Sequence, residues 1–145
     1  MQFVTQLERY RFEKYLLEAT IRTLEKGGIT SQLSTYHFLD PIDAWGFPKY
    51  PAKTAILPPD IDLCAELRRF IETNEGYLRE PGSYLGTWIN PHTQHCYLDI
   101  TTSCKELDEA RREAMAISLR DGRRIVALYN ILRGQLVYLW EDVLA

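Results

Sequence analysis

The sequence predicts a domain of the α+β class, in which an antiparallel sheet of about four strands packs with two amino-terminal helices and a long ordered loop. Two observations support this prediction. Apolar residues recur at helical spacing in residues 1–28 and again in residues 60–76, and they alternate with period two from residue 83 onward. The length of 145 residues, with 46% hydrophobic and 26% charged residues, fits a single globular domain with its own core.

Residues 1–28 are predicted to hold one long helix, over residues 3–26. Six apolar side chains at steps of three, four and seven should share its buried face: Phe3, Leu7, Tyr10, Leu17, Ile21 and Leu24. Phe12, Leu16 and Ala19 are expected to widen this face. Gly27-Gly28 should end the helix, because glycine takes the left-handed cap conformation without strain. Since the helix is long for a small domain, two interpretations stay open: it packs on its own domain, or it pairs with a partner chain.

Residues 29–59 are predicted to form an ordered but irregular segment. Five prolines interrupt any helix or strand ladder, while five aromatic residues make the segment unlike a disordered linker. Either the rings cover the domain's own core, or they contribute to a recognition surface, where tryptophan and tyrosine are favoured residues. Because so long a loop is uncommon unless it has a function, we assign partner binding to Trp45, Phe47 and Tyr50.

Residues 60–76 are predicted to form a second helix. Asp60 can cap it after the two prolines at 58 and 59. Its buried stripe should comprise Leu63, Leu67, Phe70 and Ile71. The run Asn74-Glu75-Gly76 is expected to end it.

Residues 83–140 are predicted to form a unit of two strands, a helix and two more strands. The first hairpin joins residues 83–89 to residues 94–100 through Asn90-Pro91-His92-Thr93, which favours a type I turn. In its second strand the side chains alternate between two faces, as in a half-buried strand. Cys96, Leu98 and Ile100 should point one way, and His95, Tyr97 and Asp99 the other way.

The second half of this unit follows from cap and turn signals. Ser103 and Glu106 have the spacing of a capping box at the start of a helix, which Gly122 should end. Residues 123–131 and 135–140 are predicted to be the last two strands, joined in a tight turn at Gly134.

Residues 85–139 also resemble a short module found in many uncharacterised phage and bacterial proteins. Its pattern is a Gly-x-Trp strand, an Asn-Pro-x-Thr-Gly turn, a Tyr-Leu-Asp strand, an acidic helix with Glu-Ala and an apolar strand pair. The matching residues are Gly86-Thr87-Trp88, Asn90-Pro91-His92-Thr93, Tyr97-Leu98-Asp99, Glu109-Ala110 and Arg124-Ile125-Val126-Ala127-Leu128. This chain departs from the pattern at Gln94, where the module has glycine. The resemblance implies a fold and a phage or bacterial origin, with no function attached.

Histidines and cysteines in the hairpin raise the question of a metal site. The side chains of the types that zinc prefers are His92, His95, Cys96, Cys104 and Cys64. Only one half of this set has closely spaced ligands, and His95 and Cys96 should point to opposite faces of one strand. We therefore expect neither a metal nor a cofactor.

Candidate catalytic groups are few. Cys104 at a helix start could be an activated nucleophile, with a histidine as its base. Asp99, Glu106, Asp108 and Glu109 could work as paired carboxylates, but acidic residues in a first helical turn complement the helix dipole without any catalysis. An enzyme is therefore the least favoured of three function classes.

The sequence favours a non-catalytic, protein-binding accessory, adaptor or inhibitor protein of bacterial or phage origin. The net charge of −3 is too small to indicate a nucleic-acid footprint. The alternative, a nucleic-acid-associated factor, would use a basic cluster made of Arg111, Arg112, Arg120, Arg123 and Arg124. Three cysteines, the lack of a signal-peptide pattern and the lack of a long apolar run predict a cytoplasmic protein without membrane contact.

Overall fold

The computed structural model of the chain describes residues 1–140, which form three α-helices and one antiparallel sheet of eight strands. The helices are α1 (Gln6–Lys26), α2 (Leu63–Leu78) and α3 (Leu107–Asp121). The strands are β1 (Gly28–Gln32), β2 (His37–Phe38), β3 (Trp45–Pro48), β4 (Ala55–Leu57), β5 (Tyr84–Ile89), β6 (Cys96–Cys104), β7 (Ala127–Asn130) and β8 (Leu136–Tyr138). Their spatial order is β2-β1-β5-β6-β3-β7-β8, and β4 pairs with β6 on the same edge as β3. The predicted α+β class and the antiparallel sheet are confirmed.

All three helices lie on one face of the sheet. Leu98 and Ile100 of β6 point toward α1 and α2, and they belong to one core cluster with side chains of both helices. On the same face, Trp45 of β3 lies opposite Cys104 of β6 and packs against α3 in a second cluster. The predicted alternation along β6 is therefore confirmed, and it places Asp99 on the opposite face.

The sheet has eight strands and not about four, because residues 28–57 are not an irregular loop. This stretch contributes β1 to β4. Its prolines stand where a strand ends or between strands: Pro48 is the last residue of β3, and Pro51 opens a short 3-10 turn before β4. Only one α-helix therefore precedes the sheet, since α2 follows the first four strands.

Helix α1 begins and ends close to the predicted residues. Thr5 and Glu8 form a capping box at its start, and Gly27 takes the left-handed conformation (φ 86°) at its end. Lys26 is the last helical residue, as predicted. These boundaries depend on local chemistry, which the sequence displays directly.

The predicted stripe of α1 from Leu7 to Leu24 is not its buried face, whereas Phe12, Leu16 and Ala19, which are predicted only to widen that stripe, are buried. The buried side chains of α1 are Phe12, Tyr15, Leu16, Ala19 and Thr23. At about 100° per residue, these lie on the side of the helix opposite the predicted stripe. The stripe itself is exposed, with values of 45–63% for Leu7, Tyr10, Leu17, Ile21 and Leu24.

The helix has two apolar faces, and hydrogen bonds to the sheet distinguish the inner one. The hydroxyl of Tyr15 lies 2.6 Å from that of Ser31, and the hydroxyl of Thr23 lies 2.6 Å from that of Thr87. Both pairs are buried. The outer stripe carries one hydroxyl, that of Tyr10, which accepts a hydrogen bond from the Gln6 side-chain amide at 3.3 Å, whereas the inner face carries the two hydroxyls that bond the sheet.

The other two helices differ from prediction at their ends. Helix α2 begins after Asp62, which accepts a hydrogen bond from the Ala65 N–H, and it passes through a kink at Asn74 before ending at Leu78. The capping box predicted at residues 103–106 does not form, because β6 extends to residue 104 and Ser103 pairs with Gly46 of β3. No helix within residues 1–140 is long and apolar enough to cross a bilayer.

The two carboxy-terminal hairpins have turns of the same kind. The side-chain oxygens of Asn90 and Asn130 each accept backbone N–H groups two or three residues later. The fifth residue of each turn has a positive φ, 62° at Gln94 and 66° at Gly134. Gln94 therefore occupies, under strain, the position where the resembled module has glycine.

Candidate functional site

The face of the sheet opposite the helices is concave and carries a groove. Residues of β1, β5, β6, β3 and β7 line this groove together, although three strands separate β1 from β7. Because β1 and β7 can meet at one groove only if the sheet curls around it, this open face has the form of a half-barrel. Gly86 keeps the floor low, since a Cβ there would collide with the side chain of Thr101.

Aromatic and apolar side chains dominate the open face. Trp88 of β5 and Tyr97 of β6 lie opposite each other, with ring centroids 5.2 Å apart. Pro48, Tyr129 and Leu136 line the groove with Trp88. These five side chains are partly exposed, Tyr129 to 37%. Because the solvent face of a one-sided antiparallel sheet is usually polar, this composition makes the open face a candidate binding surface.

Asp99 is the acidic residue of this groove. It pairs with Gly86 across the β5–β6 ladder, and the side chain of Thr101 occupies the space that a Cβ at residue 86 would take. Its carboxylate accepts a hydrogen bond of 2.5 Å from the Thr54 hydroxyl. The guanidinium of Arg123 in turn donates to the Thr54 carbonyl at 3.2 Å. The carboxylate is thereby held in a fixed position on the groove floor.

The surroundings of Asp99 change its protonation. Burial among the strands raises the pKa of this carboxyl from 3.8 to about 6, while the Thr54 hydrogen bond and the charge of Arg123 only partly oppose that increase. At neutral pH the group is therefore ionised for the most part, but its negative charge is poorly solvated. A poorly solvated charge in a concave apolar surface is typical of a functional site.

The size and chemistry of the groove limit what it can do. Its cavity volume is about 70 Å³, which corresponds to roughly five water molecules. The groove therefore suits the end of a side chain better than a nucleotide. Among its lining residues there is no histidine, cysteine, lysine, arginine or glutamate, so Asp99 has no second titratable group of these types for acid–base chemistry.

Of the three residues predicted to bind a partner, Phe47 is among those that line the groove, and Trp45 and Tyr50 are not. Trp45 and Phe47 are only 3% and 2% exposed and belong to the core beneath α3. Their burial corrects the expectation for these two rings and favours the alternative that this segment covers the core. Tyr50 is partly exposed, but its hydroxyl donates to Glu80 at 2.7 Å and its ring packs edge-on against Tyr77.

The structure does not gather the predicted basic cluster into one groove. Arg111, Arg112 and Arg120 belong to α3, in the helix layer, and Arg120 pairs with its neighbour Asp121 at 2.7 Å. Arg123 and Arg124 follow that helix, and both border a depression next to Asp99. That depression is also lined by Trp88 and Tyr97, so two of the five predicted arginines lie beside rings of the open face, the combination that a nucleic-acid surface uses, and the other three do not.

The candidate metal ligands are also separated. Cys96 is buried in the core. Within residues 1–140, three or more potential ligands come within 4.8 Å of one another only at Cys104, Glu109 and Glu113. There the Cys104 thiol donates to Glu113, and burial together with that carboxylate raises its pKa to about 12.

Sequence reasoning placed Asp99 on the polar face of its strand but did not identify the groove. The signal was present as an excess of rings on the supposed solvent face, at Trp88 and Tyr97. Tyr129 and Thr54 carried no such signal, because only the curl of the sheet brings their segments to Asp99. No protein-family model, curated protein or solved structure matches the chain.

Proposed function

We propose that this chain is a non-catalytic protein-binding protein whose groove receives a basic side chain of the partner. The observation that carries the proposal is the position of Asp99, a poorly solvated carboxylate on the floor of a concave apolar surface. The lining residues supply no cation to neutralise it on the groove side. A lysine or arginine side chain entering the groove would do so.

The chemistry of the walls suits such a guest. A guanidinium or ammonium group forms its strongest hydrogen bonds with an ionised carboxylate. The faces of Trp88 and Tyr129 offer stacking and cation–π contacts to the same group, while Pro48 and Leu136 can contact its methylene stem. Because the carboxylate of Asp99 is already largely desolvated in the free protein, binding adds little further desolvation cost on this side.

A protein partner fits the groove better than a nucleic acid does. The acidic floor repels phosphate groups. The small volume fits one side chain, and the rings around it form a rim that a flanking segment can cover. The proposed function is therefore recognition of a protein segment in which apolar residues flank a lysine or arginine.

A peptide library displayed on phage and selected on the wild-type chain tests this proposal. We expect the selected peptides to share a lysine or arginine beside apolar residues. Binding of a labelled selected peptide, measured by fluorescence anisotropy at pH 8, should weaken at least about 10-fold in Asp99→Asn, since a charge-assisted hydrogen bond is lost. Tyr129→Ala should also weaken binding, whereas Leu119→Ala on the outer side of α3 should not.

The pH dependence of binding supplies a second criterion. The affinity for the basic peptide should fall as the pH drops through about 6, because Asp99 becomes protonated. Peptides without a basic residue, or equal affinities for the wild type and Asp99→Asn, would contradict the proposal.

A further inference from the structure

A second apolar surface lies on the outer side of α1, away from the sheet. It consists of six residues at alternating steps of three and four, which we name the outer seam: Leu7, Tyr10, Lys14, Leu17, Ile21 and Leu24. Such steps are the a and d positions of a heptad repeat, the pattern of helices that pair with other helices. The five apolar members are 45–63% exposed.

The outer seam is not needed to fold the domain. The opposite side of α1 supplies the buried contacts with the sheet. Single exposed leucines are common, but the seam is continuous over about 26 Å of helix at 1.5 Å per residue. A helix with apolar residues on two opposite sides has one side for its own sheet and one for another helix.

We propose that the outer seam pairs with the outer seam of a second copy of this chain, in an antiparallel arrangement around a twofold axis. If the axis passes midway between Lys14 and Leu17, every seam residue faces another. Leu7 meets Leu24 of the second copy, Tyr10 meets Ile21, and Lys14 meets Leu17. The match is complete because the two numbers in each pair have the same sum, as an isologous interface requires.

Charges beside the seam fit the antiparallel direction. Arg11 and Glu18 lie on the same flank of the seam, one on either side of the axis. In the antiparallel pair, Arg11 of each copy comes beside Glu18 of the other, which gives two attractive contacts. Glu18 is free to shift toward this contact, because its present pairing with Arg22 is a half-exposed one of 3.4 Å.

The parallel direction is disfavoured by the same residues. It would place Lys14 beside Lys14 of the second copy in the middle of the interface. It would also bring Glu13 beside Glu18 of the second copy, although the ion pair of Glu13 with Arg68 offsets part of that repulsion. The antiparallel direction avoids the contact between Glu13 and Glu18 and displaces the two Lys14 side chains by three residues, about 4.5 Å along the helix.

The seam is already ordered in the single chain. The capping box at Thr5 and Glu8, the left-handed cap at Gly27 and the packing on the sheet fix α1 as a helix. Two copies therefore associate without forming a helix first, which is the main cost for short isolated coiled coils. The groove lies on the open face of the sheet, and the outer seam lies on the outer side of the helix layer. The proposed dimer therefore does not depend on the proposed function of the groove.

Sedimentation velocity of the purified chain across a range of concentrations tests the proposal. We expect a dimer in the wild type and at least an about 100-fold weaker dimer in Ile21→Glu, because this residue faces Tyr10 of the second copy and each dimer contains the changed residue twice. Leu119→Glu is the matched control: Leu119 is 80% exposed on α3 and outside the seam. Circular dichroism of all variants checks that the fold is retained. A monomeric wild type, or a dimer that persists in Ile21→Glu, would overturn the proposal.

Charge reversal tests the direction of pairing. Arg11→Glu and Glu18→Arg should each weaken the dimer several-fold, on the order of 5-fold, and the double variant should restore it to within about twofold of wild type. Arg9→Glu makes the same change of charge away from the seam and should have no effect. Absence of restoration in the double variant would refute the antiparallel pairing.

Discussion

Replacing Asp99 by asparagine is expected to stabilise the free protein at neutral pH. The asparagine oxygen can still accept the hydrogen bond from Thr54, while the side chain carries no charge that must be desolvated. Burial raises the pKa of Asp99 from 3.8 to about 6. The folded protein therefore binds this proton more tightly than the unfolded chain does, and ionisation of the group opposes folding.

The magnitude and sign follow from that shift. A difference of about two pKa units corresponds to about 3 kcal/mol, at 1.36 kcal/mol per unit. Protonated Asp99 contributes its full stabilisation to the free energy of unfolding below about pH 4, and this contribution is lost as the pH rises through about 6. At pH 8 we expect Asp99→Asn to raise the free energy of unfolding by about 1–3 kcal/mol, the lower values applying because the side chain is only partly buried and water stabilises the carboxylate. At pH 4 the two proteins should differ by less than about 0.5 kcal/mol.

Urea unfolding of both proteins at pH 4, 6 and 8, followed by tryptophan fluorescence, measures this difference. Asp108→Asn, a change at an exposed aspartate in the first turn of α3, is the matched control and should not increase stability at any pH. A stability difference that does not vary with pH, or an Asp99→Asn protein less stable than wild type at pH 8, would refute the reasoning. An increase at pH 8 would show that the chain keeps a carboxylate in the groove at a cost to stability, as functional sites often do.

Three further predictions follow from burial, backbone conformation and thiol chemistry. Trp45→Ala should lower the free energy of unfolding by about 3–5 kcal/mol, and Trp88→Ala by only about 1–2 kcal/mol because Trp88 is half-buried; equal losses in urea unfolding would contradict this contrast. Gln94→Gly should raise the same free energy by about 0.5–1 kcal/mol, since glycine takes a positive φ without strain; a loss of stability would show that the glutamine side chain matters more. Cys104 should react slowly with iodoacetamide at pH 8, because burial and Glu113 raise its pKa to about 12, and Glu113→Gln should speed the reaction. Peptide mass spectrometry measures that rate. An unchanged rate in Glu113→Gln would show that this carboxylate does not raise the pKa of the Cys104 thiol.

The features that the sequence predicted correctly are local ones. The end of α1 at Gly27, the turn at Asn90 and the alternation along β6 each depend on residues within a few positions of one another. Their geometry is set by glycine's conformational freedom, by a side chain bonding its own backbone and by the pleat of a strand. Because these features depend on neighbouring residues, the sequence was sufficient to predict them, and the structure confirms all three.

The other features of the fold depend on contacts between residues that are far apart in the sequence. Residues 28–57 form four strands because β1 pairs with the edge of β5, and β3 and β4 pair with the edge of β6. The predicted capping box at Ser103 does not form because β6 extends through this residue to pair with β3. The sequence of α1 carries two apolar faces, and the face that meets the sheet is the one whose Tyr15 and Thr23 bond the buried hydroxyls of Ser31 and Thr87. The groove around Asp99 has the same origin, because the curl of the sheet brings together β1 and β7, which are about 100 residues apart in sequence. Helix ends and turns depend on residues a few positions apart, which can be read from the sequence. Which face of a helix is buried depends on its contacts with the sheet, and these contacts exist only in the folded structure.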